Sequence, residues 1–174
     1  MNLITWIMFT MVLDISFTID THDYPRWEQP LKALDYKWEA IKVRTRDYYE
    51  LTLFNIKGNK GKATLPPVLI MHSENTDASW WIEMQRKSKV KPEKRLYGDI
   101  TPWMMQLADK GHDVWMGNSR GTEYSMGHTK LEPEKSEKYW DFTWAEMGMY
   151  DLTAMIEEIK IATGEEKILY IGYS

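Results

Sequence analysis

Three short apolar runs restrict the fold of this chain more than any other feature: Pro67-Val68-Leu69-Ile70-Met71, His112-Asp113-Val114-Trp115-Met116 and Ile168-Leu169-Tyr170-Ile171. Each has the length and composition of a buried strand, and helical patterns separate them. In the first intervening segment Thr101 suits an N-cap and Pro102 a first helical position. Met104, Met105, Leu107 and Ala108 supply apolar contacts there, and Gly111 stops the helix after Lys110. In the second, Trp144, Gly148, Leu152, Met155, Ile159 and Ala162 recur at spacings of three and four, with Ile156 beside them, until Thr163-Gly164. That is the stripe of a helix lying on a sheet. Strands alternating with amphipathic helices imply crossovers over a parallel sheet, with chemistry at the carboxyl ends of the strands.

Ahead of this repeat, residues 24–34 carry two prolines and read as an extended lead-in with a short helix near Leu31 and Leu34. Residues 38–45 alternate, with Trp38, Ala40 and Lys42 on one face and Ile41 and Val43 on the other. Residues 51–56 form a second strand, and Arg46-Asp47-Tyr48-Tyr49 turns between them, which predicts an antiparallel hairpin. Residues 57–62 and 87–95 read as solvated loops. The polar stretch 122–142 carries Tyr139, Trp140 and Phe142, which should dock on the body.

The 43% hydrophobic content excludes a disordered chain, and 174 residues suffice for a core. A net charge of -4, with no basic stripe interleaved with aromatics, argues against a nucleic-acid partner. With no cysteine there are no disulfides, thiolate metal sites or cysteine nucleophile. No cofactor or metal is expected. Residues 3–13 are an apolar run of signal-peptide length, too short to span a bilayer. No Lys or Arg precedes the run, and no small-x-small cleavage site follows before Asp20. The expectation is a secretory or endomembrane signal over residues 1–19; the alternative is a buried N-terminal strand or helix in a cytoplasmic protein.

Three polar residues fall at strand carboxyl ends: His72, Asn118 and Ser174. Gly172-Tyr173-Ser174 is the first half of Gly-x-Ser-x-Gly, the tight turn that lifts a nucleophilic serine above the sheet of an α/β-hydrolase.

The chain resembles the acid lipases, the family of lysosomal acid lipase and gastric lipase. The resemblance is densest in Gly111-His112-Asp113-Val114-Trp115-Met116-Gly117-Asn118-Ser119-Arg120-Gly121, and continues in Trp144-Ala145-Glu146-Met147, Tyr150-Asp151-Leu152 and Gly172-Tyr173-Ser174. Thr45-Arg46-Asp47-Tyr48-Tyr49-Glu50-Leu51 looks like the family's Thr-x-Asp-Gly-Tyr-x-Leu, with Tyr48 where glycine is usual; Tyr24-Pro25, Ser125 and His128 also fit. It covers roughly residues 20–174, the N-terminal half of such an enzyme. The domain reading is therefore a signal over 1–19, a lipase-associated N-terminal region with the first hairpin over 20–62, and the N-terminal part of an α/β-hydrolase core over 63–174.

That resemblance implies hydrolysis of triacylglycerols or sterol esters by a Ser-Asp-His triad at a lipid-water interface, in a secretory or lysosomal lumen. It places Ser174 at the nucleophile. The triad Asp and His follow the serine in chain order, so no histidine here is promoted to base. His22 lies in the lead-in, His112 starts a strand at the opposite edge of the sheet, and His128 anchors a loop. The family's oxyanion stretch is His-Gly followed by an apolar residue, where this chain has His72-Ser73-Glu74. His72 keeps a shaping role. Ser73 adds a Cβ where close approach is wanted, and Glu74 brings a carboxylate near developing negative charge. Asn118, Ser119, Arg120, Gly121 and Gly172 are motif residues with structural roles. Two readings follow: an acid-lipase-type ester hydrolase, or an inactive hydrolase-like lipid-binding or interaction protein. Strand 168–171 would expose an unpaired apolar edge, so the 174-residue chain alone is expected to self-associate and to lack esterase activity.

Overall fold

The computed structural model describes residues 18–19, 24–57, 63–86 and 101–174. The apolar run 3–13, His22 and the loops 58–62 and 87–95 lie outside the described residues. One sheet organises the chain, and its centre is a strand whose two neighbours arrive by crossovers on opposite faces. That strand is β4 (Leu65–Met71), parallel to β5 (His112–Gly117) on one side and to β7 (Leu169–Gly172) on the other. Beyond β5 come β3 (Tyr49–Lys57), β2 (Lys37–Arg44) and the two-residue β1 (Thr18–Ile19), all antiparallel to their neighbours. The short β6 (Gly127–His128) pairs with the start of β3. Thr18 and Ile19, the last residues of the stretch read as a signal, pair with Lys42 and Ile41.

The period-two alternation of the strands sorts their side chains into two cores. Phe54, Ile56, Val68, Ile70, Val114 and Met116 point to one face. There they meet Trp27 and Leu31 of α1 (Pro25–Ala33), Ile82 of α2 (Ser79–Arg86), and Met104, Met105 and Ala108 of α3 (Trp103–Asp109). Leu51, Leu53, Leu69, Met71 and Trp115 point to the other, against Met155 and Ile159 of α5 (Thr153–Thr163) and the buried Tyr139. Strands buried on both faces read as continuous apolar runs, which is how β4 and β5 appear in the sequence. Phe54 anchors the first core, stacked on Trp27 with centroids 4.5 Å apart and edge-on to Tyr24, Trp38 and Tyr124.

Several local expectations change. The lead-in is helical from Pro25, because proline at a first helical position costs no hydrogen bond and Trp27, Pro30 and Leu31 fall on one buried face. Trp80-Trp81 belongs to a helix, α2, that the polar stretch before it concealed. Thr101 does not cap α3; the N-cap is Pro102, with no side-chain bond, and Thr101 instead accepts from Gln106 Nε2 at 2.7 Å through its carbonyl. Gly111 turns the chain from α3 into β5 at φ +103°, which a side chain would resist.

The helical stripe from Trp144 does not run straight. Between α4 (Trp144–Glu146) and α5 lies a π-helical segment, Met147–Leu152. Its wider turn absorbs extra backbone and rotates what precedes it off the sheet-facing side. Met155 and Ile159 are buried as the spacing predicts, whereas Trp144 and Gly148 are exposed, as is Ala162 near the far end. Trp140 docks as expected, against Gly121 and edge-on to Tyr139 with ring centroids 4.8 Å apart, but leaves 45% of its surface exposed, while Tyr139 is fully buried.

Tyr48, where the resembling family has glycine, adopts φ +77°. A left-handed non-glycine residue costs about 1–2 kcal/mol. The tyrosine ring is covered by the Lys130 ammonium, 3.3 Å from its centroid, which offsets part of that cost by about 0.5–1 kcal/mol. Tyr48→Gly should therefore lie within about 1 kcal/mol of wild type in urea unfolding, while Tyr48→Val, β-branched at positive φ, should lose more than that. Equal losses in both variants would mean that the turn is not strained.

Candidate active site

Met71 pairs with Gly117 on one side and Gly172 on the other, so the three parallel strands end at one level. The residues leaving those ends, His72, Asn118 and Ser174, are thereby brought to a common edge. Ser174 takes φ +63°, in the left-handed region that serine rarely adopts. The tyrosine before it is held by indoles: Tyr173 stacks on Trp80 at 5.2 Å and 24°, and meets Trp81 at 5.6 Å and 67°. Both tryptophans sit at the start of α2. Asp77 fixes that start, accepting from the Ser79 N–H at 2.8 Å and from Arg26 Nη1 at 3.1 Å, while the Ser79 and Tyr124 hydroxyls lie 2.6 Å apart.

His72 has both nitrogens engaged. Its Nε2 accepts from the Ser119 N–H at 3.1 Å, so Nδ1 carries the proton and donates to the Ser73 carbonyl at 2.8 Å. Burial lowers its pKa, outweighing the hydrogen bond to Ser73 and the field of Asp77, and the ring stays neutral. It shapes the turn and is not available to Ser174 as a base. The Ser73 carbonyl also accepts from the Thr76 hydroxyl at 2.7 Å, and Asn75 closes the turn at φ +55°. Glu74 projects from this turn, exposed.

Asn118 is fully buried and works as a bracket. Its Nδ2 donates to the Thr52 carbonyl and its Oδ1 accepts from the Ala78 N–H, each at 2.9 Å. Its own carbonyl accepts from Ser125 Oγ at 2.8 Å, which in turn accepts from the Thr52 N–H at 3.0 Å. Two residues on, the Arg120 guanidinium is almost completely buried between two carboxylates. Nε donates to Asp151 at 2.8 Å, while Nη1 and Nη2 reach Asp47 at 2.6 and 2.9 Å. The Arg120 N–H adds a bond to Asp151 at 2.9 Å, and the guanidinium lies 3.9 Å over the Tyr49 ring. Gly121 follows at φ +76°, and a Cβ there would come within 3.1 Å of both the Phe142 and Trp140 rings.

A cavity of about 510 Å³ opens over this edge. His72, Ser73, Glu74, Ser119, Arg120, Gly121 and Ser174, read separately from the sequence, all line it. Asn118 and Gly172 support it from below. Its remaining wall includes Trp140, Phe142, Trp144 and Met147. The other described histidines are elsewhere. His112 Nδ1 contacts the Pro66 carbonyl at the amino end of β5, and His128 Nδ1 accepts the N–H groups of Lys130 and Leu131.

No protein-family model matches the chain. It is 38% identical over 139 residues to Lipase 1 of Drosophila melanogaster, and 36% identical over 143 residues to Lipase member K of Homo sapiens. Each match covers 80% of this chain, but only 28% and 32% of those proteins. The chain belongs to the acid-lipase family. It spans about a third of the length of the curated relatives it matches. The fold is that part of an α/β-hydrolase, and a hypothetical protein from Pseudomonas aeruginosa, PA2218, shares it at a TM-score of 0.51 and 12% identity, over 91% of this chain and 40% of that one.

For an acid-lipase chain the Asn118-Ser119-Arg120-Gly121 motif now has a physical content. Asn118 joins β3 to the loop before α2, Ser119 fixes the His72 tautomer, Arg120 ties in the hairpin turn and the π segment, and Gly121 seats the rings of Trp140 and Phe142. Sequence reasoning missed the two acids that Arg120 requires, although Asp47 and Asp151 stand inside the very stretches that carry the family resemblance. It also missed the indoles on Tyr173, for which the adjacent pair Trp80-Trp81 was the signal.

Burial alone would lower the Arg120 pKa, but the bonds to Asp47 and Asp151 hold it above its usual value. Burial also pushes the Asp151 carboxyl upward against the pull of Arg120, whereas at Asp47 the Arg120 bonds outweigh burial and hold the carboxyl low. Removing the cation leaves Asp151 buried and unpaired. Arg120→Met should therefore destabilise the fold by about 3–5 kcal/mol in denaturant melts. Asp47→Asn should cost clearly less, since that side chain is 28% exposed and its amide still accepts a bond. A near-neutral Arg120→Met would overturn this account.

Proposed function

We propose that this chain carries the nucleophile and part of the oxyanion site of a carboxylic ester hydrolase that acts on neutral lipids, triacylglycerols or sterol esters, in lipid breakdown. The observation that supports it most is Ser174 at positive φ after β7, sharing one cavity with the turn His72-Ser73-Glu74 and an apolar wall. In this chemistry the serine oxygen attacks the ester carbonyl, a histidine takes its proton, and N–H donors stabilise the oxyanion. The backbone N–H of Glu74 is the donor offered here. The Asp and His of an α/β-hydrolase triad follow the serine in chain order, and no described histidine lies free to serve Ser174. That reading takes residues 1–19 as a signal, 20–62 as the N-terminal region and 63–174 as the first part of the core, with action in a secretory or lysosomal lumen at a lipid-water interface and a cytoplasmic site as the alternative; the pairing of Thr18 and Ile19 with β2 counts against the 1–19 boundary, since a cleaved signal would end before Thr18.

A second reading, an inactive hydrolase-like lipid-binding protein, is favoured by the Glu74 carboxylate lining the cavity where negative charge would develop. The protein as its gene encodes it, assayed on nitrophenyl esters and triacylglycerol emulsion beside its Ser174→Ala variant, separates the two. Turnover abolished by the substitution supports the hydrolase, and its absence from both proteins supports the binding protein. The 174-residue chain alone should show no serine-dependent turnover, because a serine without its base is scarcely nucleophilic at neutral pH.

The same chain should self-associate. Among the described residues β7 has a partner on one side only, with Leu169 and Tyr170 about half exposed. A flat, apolar, unpaired edge recruits other strands. Light scattering after size exclusion, at several concentrations, is expected to show mass rising with concentration; a monodisperse monomer would refute it.

A further inference from the structure

The start of α2 carries more than its own helix. Asp77 stands just before it, its side chain only 10% exposed, and holds the first turn twice. Its Oδ1 accepts from the Ser79 N–H at 2.8 Å, and its carbonyl accepts from the Trp80 N–H at 3.1 Å. On the upstream side, the neighbouring Thr76 closes the turn that begins at His72, donating to the Ser73 carbonyl at 2.7 Å. On the downstream side, Trp80 stacks on Tyr173 and Trp81 meets the same ring, with Trp103 of α3 against Trp81 at 5.3 Å. The turn that offers the oxyanion donor and the residue before Ser174 therefore both bear on one stretch, residues 76–81. A carboxylate as buried as Asp77 calls for a cation, and Arg26 Nη1 meets it at 3.1 Å.

Arg26 is well placed to act as a fixed point. It lies on α1 between Pro25, at a first helical position, and the fully buried Trp27, so the core holds its backbone. Its guanidinium also meets Glu83 Oε1 at 3.2 Å, one turn along α2, and Glu123 in the loop after β5. A planar fork of five donors can address three carboxylates at once, which an ammonium does only as a point charge. The Arg26 side chain is 42% exposed, so these ion pairs add little to overall stability; what they add is direction. We propose that Arg26 is a positioning residue for Ser174. Through Asp77 it holds the first turn of α2, whose indoles hold Tyr173, and it anchors the far end of the His72–Thr76 turn. The proposal rests on the ester-hydrolase reading above. In that reaction the serine oxygen and the N–H donor leave two different strands, β7 and β4, and must keep one mutual geometry, since a misplacement of about 1 Å can cost about 100-fold in rate. The start of α2 bears on both.

The test uses the protein as its gene encodes it, read by amide hydrogen exchange and by ester turnover. In Arg26→Met, exchange is expected to quicken about tenfold within 77–86 and at 170–173, with the β2–β3 hairpin unchanged. The kcat should fall about fivefold or more while KM stays within about twofold, the mark of lost positioning rather than lost binding. Arg26→Lys, which keeps a charge beside Asp77, should recover most of both effects. Asp77→Asn should match Arg26→Met, and adding it to that variant should change nothing further, because the two residues act in series. Arg44→Gln, which removes a more exposed ion pair with Glu50, should leave exchange at 170–173 and kcat as they are. Unaltered exchange at 170–173, unaltered kcat in an active enzyme, no recovery by lysine, or additive losses with Asp77→Asn would overturn the proposal. Should the protein prove inactive while 170–173 still loosens in Arg26→Met, the hydrolase reading fails and the positioning of the serine turn stands. If it is active and neither readout responds to Arg26, the hydrolase reading stands and the positioning role fails.

Discussion

The Arg120 guanidinium ties together three segments that are far apart in sequence. Asp47 belongs to the hairpin turn, Arg120 to the loop after β5, and Asp151 to the π segment, and none of the three could be placed by local preference alone. The trio takes the Arg120 and Asp151 charges out of water and the Asp47 carboxylate partly so, a cost that Coulomb attraction repays only when the donors find acceptors at good geometry. Here four donor groups do, and the Tyr49 ring covers the remaining face. The consequence reaches the candidate site, because the residues on either side of Arg120 are Ser119, which holds His72, and Gly121, which seats the aromatic wall.

The rest of the site depends on alignment. Three parallel strands end in register at Gly117, Met71 and Gly172, and the crossovers that link them leave on opposite faces. In open α/β sheets that arrangement leaves a crevice at the carboxyl ends. The polar residues released there divide the work. Asn118 and His72 engage both ends of their side chains internally, building the walls, while Ser174, at positive φ, lines the cavity. The indoles of α2 press on Tyr173, so the same helix that packs beneath the sheet also bears on the residue before the serine.

Much of this was legible in the sequence. Strands buried on both faces leave unbroken apolar runs, which is why β4 and β5 stood out; β7 shows the same apolar run although Leu169 and Tyr170 are exposed here, and the glycine-rich motif after β5 marked the site because few sequences satisfy so many local demands at once. What was hidden had physical reasons. Pro25 and Pro30 masked α1, since proline reads as a helix breaker although its first position is a favoured start. The π segment could not be seen in a stripe spaced at three and four, because it changes the angle per residue without changing the composition; Trp144 and Gly148 consequently sit outside the core they were assigned to. Arg120 looked like a motif residue of unknown purpose because its partners come from positions 73 and 31 residues away.

The sorting of side chains into two cores by parity limits how this sequence can vary. In β3, β4 and β5 the even-numbered apolar positions, such as Phe54, Ile70 and Met116, serve one core, and odd ones, such as Leu53, Leu69 and Trp115, serve the other. Inserting or deleting one residue within any of these strands would exchange the two sets at once, setting large aromatic groups against α5 and methionine-lined spaces against α1. It would also break the common level at which the strands end. Length change is therefore confined to the connections, and divergence within the strands can proceed only by substitution in place.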